Sequence, residues 1–177
     1  MSEQSESFVF MRSLVADGPH PDIPEADRIY APVIGSWSLT IEWLDSKGDV
    51  ERALPGEWHF SWVLDGLGVQ DVWITPPRSE RTDGTPPHEH GTSVRFYDRR
   101  TRTWRSTWTG PRHSSILEFQ SRLIHDEIVL ESRGQTPRMK WVFSDFSADG
   151  FTWRNWVEDA GSWWLQQRFI ASRIRHA

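Results

Sequence analysis

The sequence predicts an all-β protein, an up-and-down antiparallel β-barrel of about ten strands entered through one short N-terminal helix. Three observations carry that prediction. Beyond Gly35 the chain breaks into short segments that alternate apolar and polar residues, each closed by a turn signal. No helix-length periodic segment interrupts them, which argues against parallel βαβ folds. Tryptophan, a side chain that few positions accommodate, occurs 12 times in 177 residues, mostly inside those segments. Consecutive hairpins in so wide a sheet close most simply into a barrel, because closure removes the exposed edges.

The first part of the chain reads differently. Residues 1–21 form a flexible arm in this reading, with a sticky patch at Phe8-Val9-Phe10-Met11 and a break at Asp17-Gly18-Pro19-His20-Pro21. The two phenylalanines could plug one barrel end or cross to a second copy in a homodimer, with a disordered tail as the equal alternative. Pro24 near the start and Gly35 just past the end predict a short helix over 22–34. A single barrel domain then occupies 22–177.

The strands follow at 36–44, 50–64, 68–75, 92–98, 103–109, 114–124, 127–133, 138–146, 151–158 and 162–173. Their turns are Ser46-Lys47-Gly48, Asp65-Gly66, His125-Asp126, Ala148-Asp149-Gly150 and Ala160-Gly161. Residues 76–91, rich in proline, read as a long functional flap.

Hairpin parity assigns the faces. With Asp65-Gly66 as a two-residue turn, Trp58, Phe60, Trp62, Leu64, Leu67, Val69, Asp71 and Trp73 share one face, and the aromatic face is the interior. Asp71 is then a lone carboxylate in an aromatic wall, which needs a cation, hydrogen-bond donors or a proton. If Tyr97 opposes Trp104, the next hairpin turns Ser93, Arg95, Tyr97, Trp104, Ser106 and Trp108 inward, and Arg95 is the natural partner of Asp71. The 114–133 hairpin is amphipathic: Leu117, Phe119, Leu123, Ile128 and Leu130 face in, with Glu118 and Arg122 in water. Trp153, Trp156, Trp163 and Trp164 place aromatics on both faces of the last pair, which parity therefore does not orient.

Composition excludes several functions. With 25 acidic and 20 basic residues the net charge is −5, and no basic footprint for nucleic acid exists. The absence of cysteine removes disulfides, thiolate catalysis and cysteine-held metals. The polar, acidic N-terminus and the lack of a long apolar run lead to an expectation of no signal peptide, no membrane span and a cytoplasmic location. His88-x-His90 lacks a third ligand, so no metal is expected. His59 faces outward by parity and His113 and His125 fall in turns, which makes haem a minor option unless a flap histidine folds in. No phosphate loop or nucleophile elbow is present, and no cofactor is called for.

Several stretches resemble a family of bacterial lipocalin-like (calycin-type) barrel proteins of unknown function. They are Gly35-Ser36-Trp37, Gly56-Glu57-Trp58 through Val63-Leu64-Asp65-Gly66, Val69-Gln70-Asp71-Val72-Trp73-Ile74 and Gly91-Thr92-Ser93-Val94-Arg95-Phe96-Tyr97-Asp98. Trp104 to Trp108, Phe143-Ser144-Asp145 and Phe151-Thr152-Trp153 continue the likeness, which covers roughly 33–173. It implies a lipocalin-like barrel, an architecture that serves carriers, haem proteins, cyclases and decarboxylases alike. At Val157-Glu158-Asp159-Ala160-Gly161 the chain departs from the family's Ser-x-Asp-Gly-Gly turn.

Three functional expectations follow. The first is a barrel cavity that binds a small hydrophobic or aromatic molecule, walled by Trp58, Phe60, Trp62, Trp73, Tyr97, Trp104 and Trp108, with Arg95 and Asp71 orienting it. The second is a cofactor-independent cyclase or isomerase acting on a polyketide- or terpenoid-like substrate. There Asp71 would exchange the proton while Arg95 and Tyr97 polarise a carbonyl or enolate. The third is a filled barrel with a structural or interaction role.

Overall fold

The computed structural model describes residues 3–84 and 89–175. Ten antiparallel strands run β1 (Gly35–Leu44), β2 (Val50–Val63), β3 (Gly68–Thr75), β4 (Glu89–Asp98) and β5 (Thr103–Gly110), then β6 (Ser115–Ile124), β7 (Glu127–Ser132), β8 (Met139–Ser144), β9 (Gly150–Asp159) and β10 (Ser162–Arg173). Each pairs with its neighbours in sequence, and β1 closes on β10. The result is an up-and-down barrel without a free sheet edge.

The registers follow the turn chemistry. Phe60 opposes Asp71 and Trp58 opposes Trp73, while Tyr97 opposes Trp104 and Arg95 opposes Ser106. The β2–β3 connection is longer than the two residues its Asp-Gly suggests. Ladder pairing ends at Val63 and Gly68, so Leu64 and Leu67, expected inside, lie in the turn and are half exposed. Two extra residues preserve parity, so the rest of the hairpin keeps its faces. Gly66 adopts φ +76°, and a Cβ there would overlap the Gly18 carbonyl oxygen, because residues 18–20 cross directly over this turn. At His125-Asp126 both residues take positive φ, the two-residue primed turn whose twist suits a hairpin.

The helix lies earlier than expected. It is α1 (Glu3–Leu14), whereas 22–34 contains only the 3₁₀ turns Glu25–Asp27 and Ala31–Val33. Pro32 supplies no N–H, and its ring would strike the Arg28 carbonyl of a continuing helix. Phe8 and Phe10 are exposed and plug nothing. After α1 the chain runs beside the end of β2, with Leu64 N–H donating to Leu14 O and Ala16 N–H to Trp62 O.

The plug is residues 23–33 instead. Ile23, Ile29, Tyr30 and Val33 are buried in the main aromatic cluster with Trp37, Trp104, Phe143 and Phe151. Two indole N–H groups tie it to the wall: Trp37 Nε1 donates to Val33 O at 2.7 Å and Trp104 Nε1 to Asp27 O at 2.8 Å. One end of the barrel is therefore solid. At the other end the β3–β4 connection leaves the sheet; its residues 85–88, including His88, lie outside the described residues.

Candidate functional site

The unplugged half holds a cavity of about 130 Å³, lined by Trp58, Trp73, Glu89, Ser93, Trp108, Trp141, Trp153, Asn155, Gln167 and Phe169. Alternation along the strands places these groups. On β4, Glu89, Gly91, Ser93 and Arg95 are all buried while the residues between them are more open, and on β9 Phe151, Trp153, Asn155 and Val157 do the same. β10 reaches the cavity through Gln167 and Phe169, and the register slips between Leu165 and Gln167. That bulge reverses parity, so beyond it Trp164, opposite Val157, carries on the Gln167–Phe169 face toward the rim, and Trp163, opposite Glu158, lies on the other face.

Five of the rings form a closed girdle. Centroid separations run 5.7 Å from Trp73 to Trp108, 6.3 Å to Trp141, 5.4 Å to Trp153, 4.3 Å to Phe169 and 5.2 Å back to Trp73. Trp58 lies beneath, 6.1 Å from Trp153 and 5.5 Å from Phe143 of the plugged half. Gly91 makes room for the girdle: a Cβ there would overlap Cη2 and Cζ2 of Trp108 and stand 2.8 Å from Thr109 O.

The polar groups of this half are under-used by the protein. The indole N–H groups of Trp58, Trp73, Trp141 and Trp153 are buried and find no acceptor among the described residues, and Asn155 Oδ1 finds no donor among them. The Asn155 amide donates to Gln166 Oε1 at 2.9 Å. Glu89, 6% exposed, accepts the His90 N–H at 3.1 Å through Oε1. Its Oε2 lies 3.7 Å from Nε2 of the exposed His113. A buried donor without an acceptor costs about 1–3 kcal/mol, so four around one cavity set it apart from ordinary core.

The plugged half holds the other polar residues. Arg95 Nη1 lies 2.5 Å from Asp71 Oδ2, and both residues are wholly buried. The contact is one of charge more than of direction, since neither Asp71 oxygen makes an aligned hydrogen bond. Burial opposes the Arg95 charge, yet Asp71 and Tyr30 outweigh it and raise its pKa. The guanidinium sits 5.0 Å from the Tyr30 ring centre. The Tyr30 hydroxyl shares a 2.7 Å hydrogen bond with Ser121 Oγ. Burial raises the Tyr30 pKa, only partly offset by Arg95 and Ser121. Tyr97 is nearer the rim and donates its O–H to Asp27 Oδ2 at 2.5 Å. Its pKa is raised by burial and by Asp27, against Arg102.

The residues singled out in the sequence thus divide. Trp58, Trp73 and Trp108 line the cavity, whereas Phe60, Trp62, Asp71, Arg95, Tyr97 and Trp104 belong to the filled half and its rim. Trp141, Trp153, Phe169, Asn155, Gln167 and Glu89 were not singled out. Glu89 was legible, because the alternation Glu89-Gly91-Ser93-Arg95 extends β4 three residues before the expected start at 92. The β9–β10 residues were hidden by the bulge. His59 faces outward, with Nδ1 2.9 Å from Ser36 Oγ. Among the described residues no group of three or more His, Asp or Glu is placed to hold a metal ion. No helix among them is long and apolar enough to cross a membrane.

No family model matches the chain, and no curated protein matches it in sequence. Among solved structures, the crystal structure of Rv2717c from M. tuberculosis is similar to it with a TM-score of 0.54 at 13% identity. The match covers 87% of this chain and 100% of that one. At that identity the likeness is one of fold.

Proposed function

We propose that this barrel binds a small hydrophobic or aromatic molecule in the girdle of Trp73, Trp108, Trp141, Trp153 and Phe169, above Trp58. The observation that carries the reading is the set of four buried indole N–H groups for which the described residues supply no acceptor, gathered around one cavity. Aromatic walls supply area for an apolar body, and the donors suit an oxygen or nitrogen acceptor on it. A cavity of about 130 Å³ limits the occupant. An apolar cavity of about 150 Å³ holds a benzene molecule, so a single ring or a compact branched group fits and a polyketide or terpenoid skeleton does not. The isomerase alternative finds less support, because Asp71 and Arg95 close on each other outside the lining and Tyr97 is engaged by Asp27.

Titration with benzamide, one ring and one carbonyl, tests the reading through the indole ¹⁵N–¹H signals. The signals of Trp58, Trp73, Trp141 and Trp153 should shift together and saturate. Those of Trp37 and Trp104, already bonded to Val33 O and Asp27 O, should stay. Uniform or absent shifts across benzamide, phenol and indole would defeat the proposal and leave a filled barrel.

A further inference from the structure

The charge of the lining has one sign. Among the described residues it contains, beside six aromatic side chains, one carboxylate, Glu89, and neither lysine nor arginine. Asp71, the other interior carboxylate, has Arg95 at 2.5 Å. Glu89 is almost as buried, at 6% exposure, and among the described residues its ion-pair partner is His113 at 3.7 Å, itself exposed to solvent. Resting on the cavity reading above, we infer that the ligand is a small organic cation, a methylated or ring-borne ammonium, seated in the girdle with its charge toward Glu89.

The argument is one of elimination by charge. An anionic ligand would enter a space whose one charged wall group among the described residues repels it, and burying two like charges without a counter-ion is prohibitive. A neutral ligand would bury Glu89 further and leave the carboxylate with no new partner. A cation satisfies Glu89 and also meets the faces of Trp73, Trp108, Trp141 and Trp153, since the π-face of tryptophan is the strongest natural partner for a desolvated cation. The closed girdle, with neighbouring centroids 4.3–6.3 Å apart, places several rings within reach of one charge. The cavity volume of about 130 Å³ admits a head of trimethylammonium size. The unpaired indole N–H groups then serve a hydroxyl or carbonyl oxygen on the same molecule, which gives one ligand both kinds of contact.

Choline and 3,3-dimethylbutan-1-ol have the same shape and differ in charge. Titration of the intact protein with each, read by calorimetry and by the indole signals, should give saturable choline binding. The neutral alcohol should bind at least about tenfold more weakly. Glu89→Gln should weaken choline about tenfold or more and leave the alcohol unchanged, and Asn155→Asp, which adds a second carboxylate, should tighten choline. If Glu89→Gln does not fold, Gln167→Lys places a cation in the wall and should weaken choline while sparing the alcohol. Equal affinities for the two compounds, or a choline preference that neither variant reduces, would overturn the cation inference and leave the cavity reading intact. If choline, the alcohol and benzamide all leave the indole signals unmoved, the cavity reading itself falls, and this inference with it.

Discussion

Arg95 and Asp71 meet with 2.5 Å between Nη1 and Oδ2, beneath the cavity and out of contact with it. The ladders show how: Asp71 pairs with Ser93, which lines the cavity, and Arg95 follows two residues further along the same strand face toward the plug. The pair is therefore the polar layer between an open half and a filled half.

Breaking that pair should be costly for folding and cheap for binding. Asp71→Asn leaves a wholly buried guanidinium without its counter-charge, a change worth about 3–5 kcal/mol. Arg95→Met alone should cost a similar amount, and the double variant Asp71→Leu/Arg95→Met should recover much of the loss. Urea unfolding measures all three. Benzamide affinity in whichever variants fold should stay within about threefold of the parent. A large loss of affinity at unchanged stability would instead give Asp71 a direct part in the site.

Tyr30 makes a prediction about alkaline pH. Burial raises its pKa above the ordinary tyrosine value of about 10. A raised folded-state pKa means that the unfolded chain loses its proton first, so the stabilisation is complete below about pH 10 and disappears as pH rises beyond it. Tyr97, the only other tyrosine, is shifted the same way. Tyr30→Phe should cost about 1 kcal/mol at neutral pH through the lost Ser121 hydrogen bond. It should also flatten the fall in stability above pH 10. Tyrosinate absorbance of the parent should appear only as the protein unfolds; ionisation of both tyrosines in the folded state would contradict the assignment.

Much of the architecture was readable because strands carry their own ruler. A period of two, interrupted by Asp65-Gly66, His125-Asp126 and Ala160-Gly161, is enough to count ten strands and to pair Trp58 with Trp73 and Tyr97 with Trp104. The site was less readable for two physical reasons. A bulge at Gln166 changes the face of everything before it on β10, and only three-dimensional pairing reveals which residue is the extra one. And whether an inward tryptophan lines a cavity or fills a core depends on what occupies the barrel end. Ile23, Tyr30 and Val33 decide that for Trp62 and Trp104, from a segment whose prolines made its conformation hard to foresee.

The start of the β3–β4 connection offers an acid-side test. Glu57 Oε1 accepts from Arg78 Nε at 2.7 Å and from the Arg78 backbone N–H at 3.2 Å, which fastens the first turn of this connection to β2. Burial would raise the Glu57 pKa, but the bonds from Arg78 prevail and it is lowered. A lowered carboxylate stabilises the fold above its unfolded pKa and ceases to do so as pH falls through the folded one. Arg78→Ala should therefore cost under about 1 kcal/mol at pH 7, as expected for an arginine 62% exposed. The difference from the parent should hold above the ordinary glutamate range and shrink to nothing as acid protonates Glu57 in the fold, in thermal melts taken across the range.

Gly91 gives the sharpest test of the cavity wall. Its backbone has ordinary strand geometry, so substitution brings no conformational penalty, only the volume of a methyl group. That methyl would overlap the Trp108 ring and press on Thr109 O, a backbone atom that cannot withdraw without disturbing the β4–β5 ladder. Trp108 must therefore leave its place between Trp73 and Trp141, opening the girdle on one side. Gly91→Ala should lose about 1–3 kcal/mol in urea unfolding, and benzamide affinity should drop along with the dispersion of the Trp73 and Trp141 indole signals. Gly84, in the β3–β4 connection, has nothing within 4 Å of an added Cβ, so Gly84→Ala should leave both measurements unchanged. If Gly91→Ala loses stability but binds benzamide as the parent does, then Trp108 is packing alone, and the contacts to the ligand come from the Trp58, Trp141 and Trp153 side.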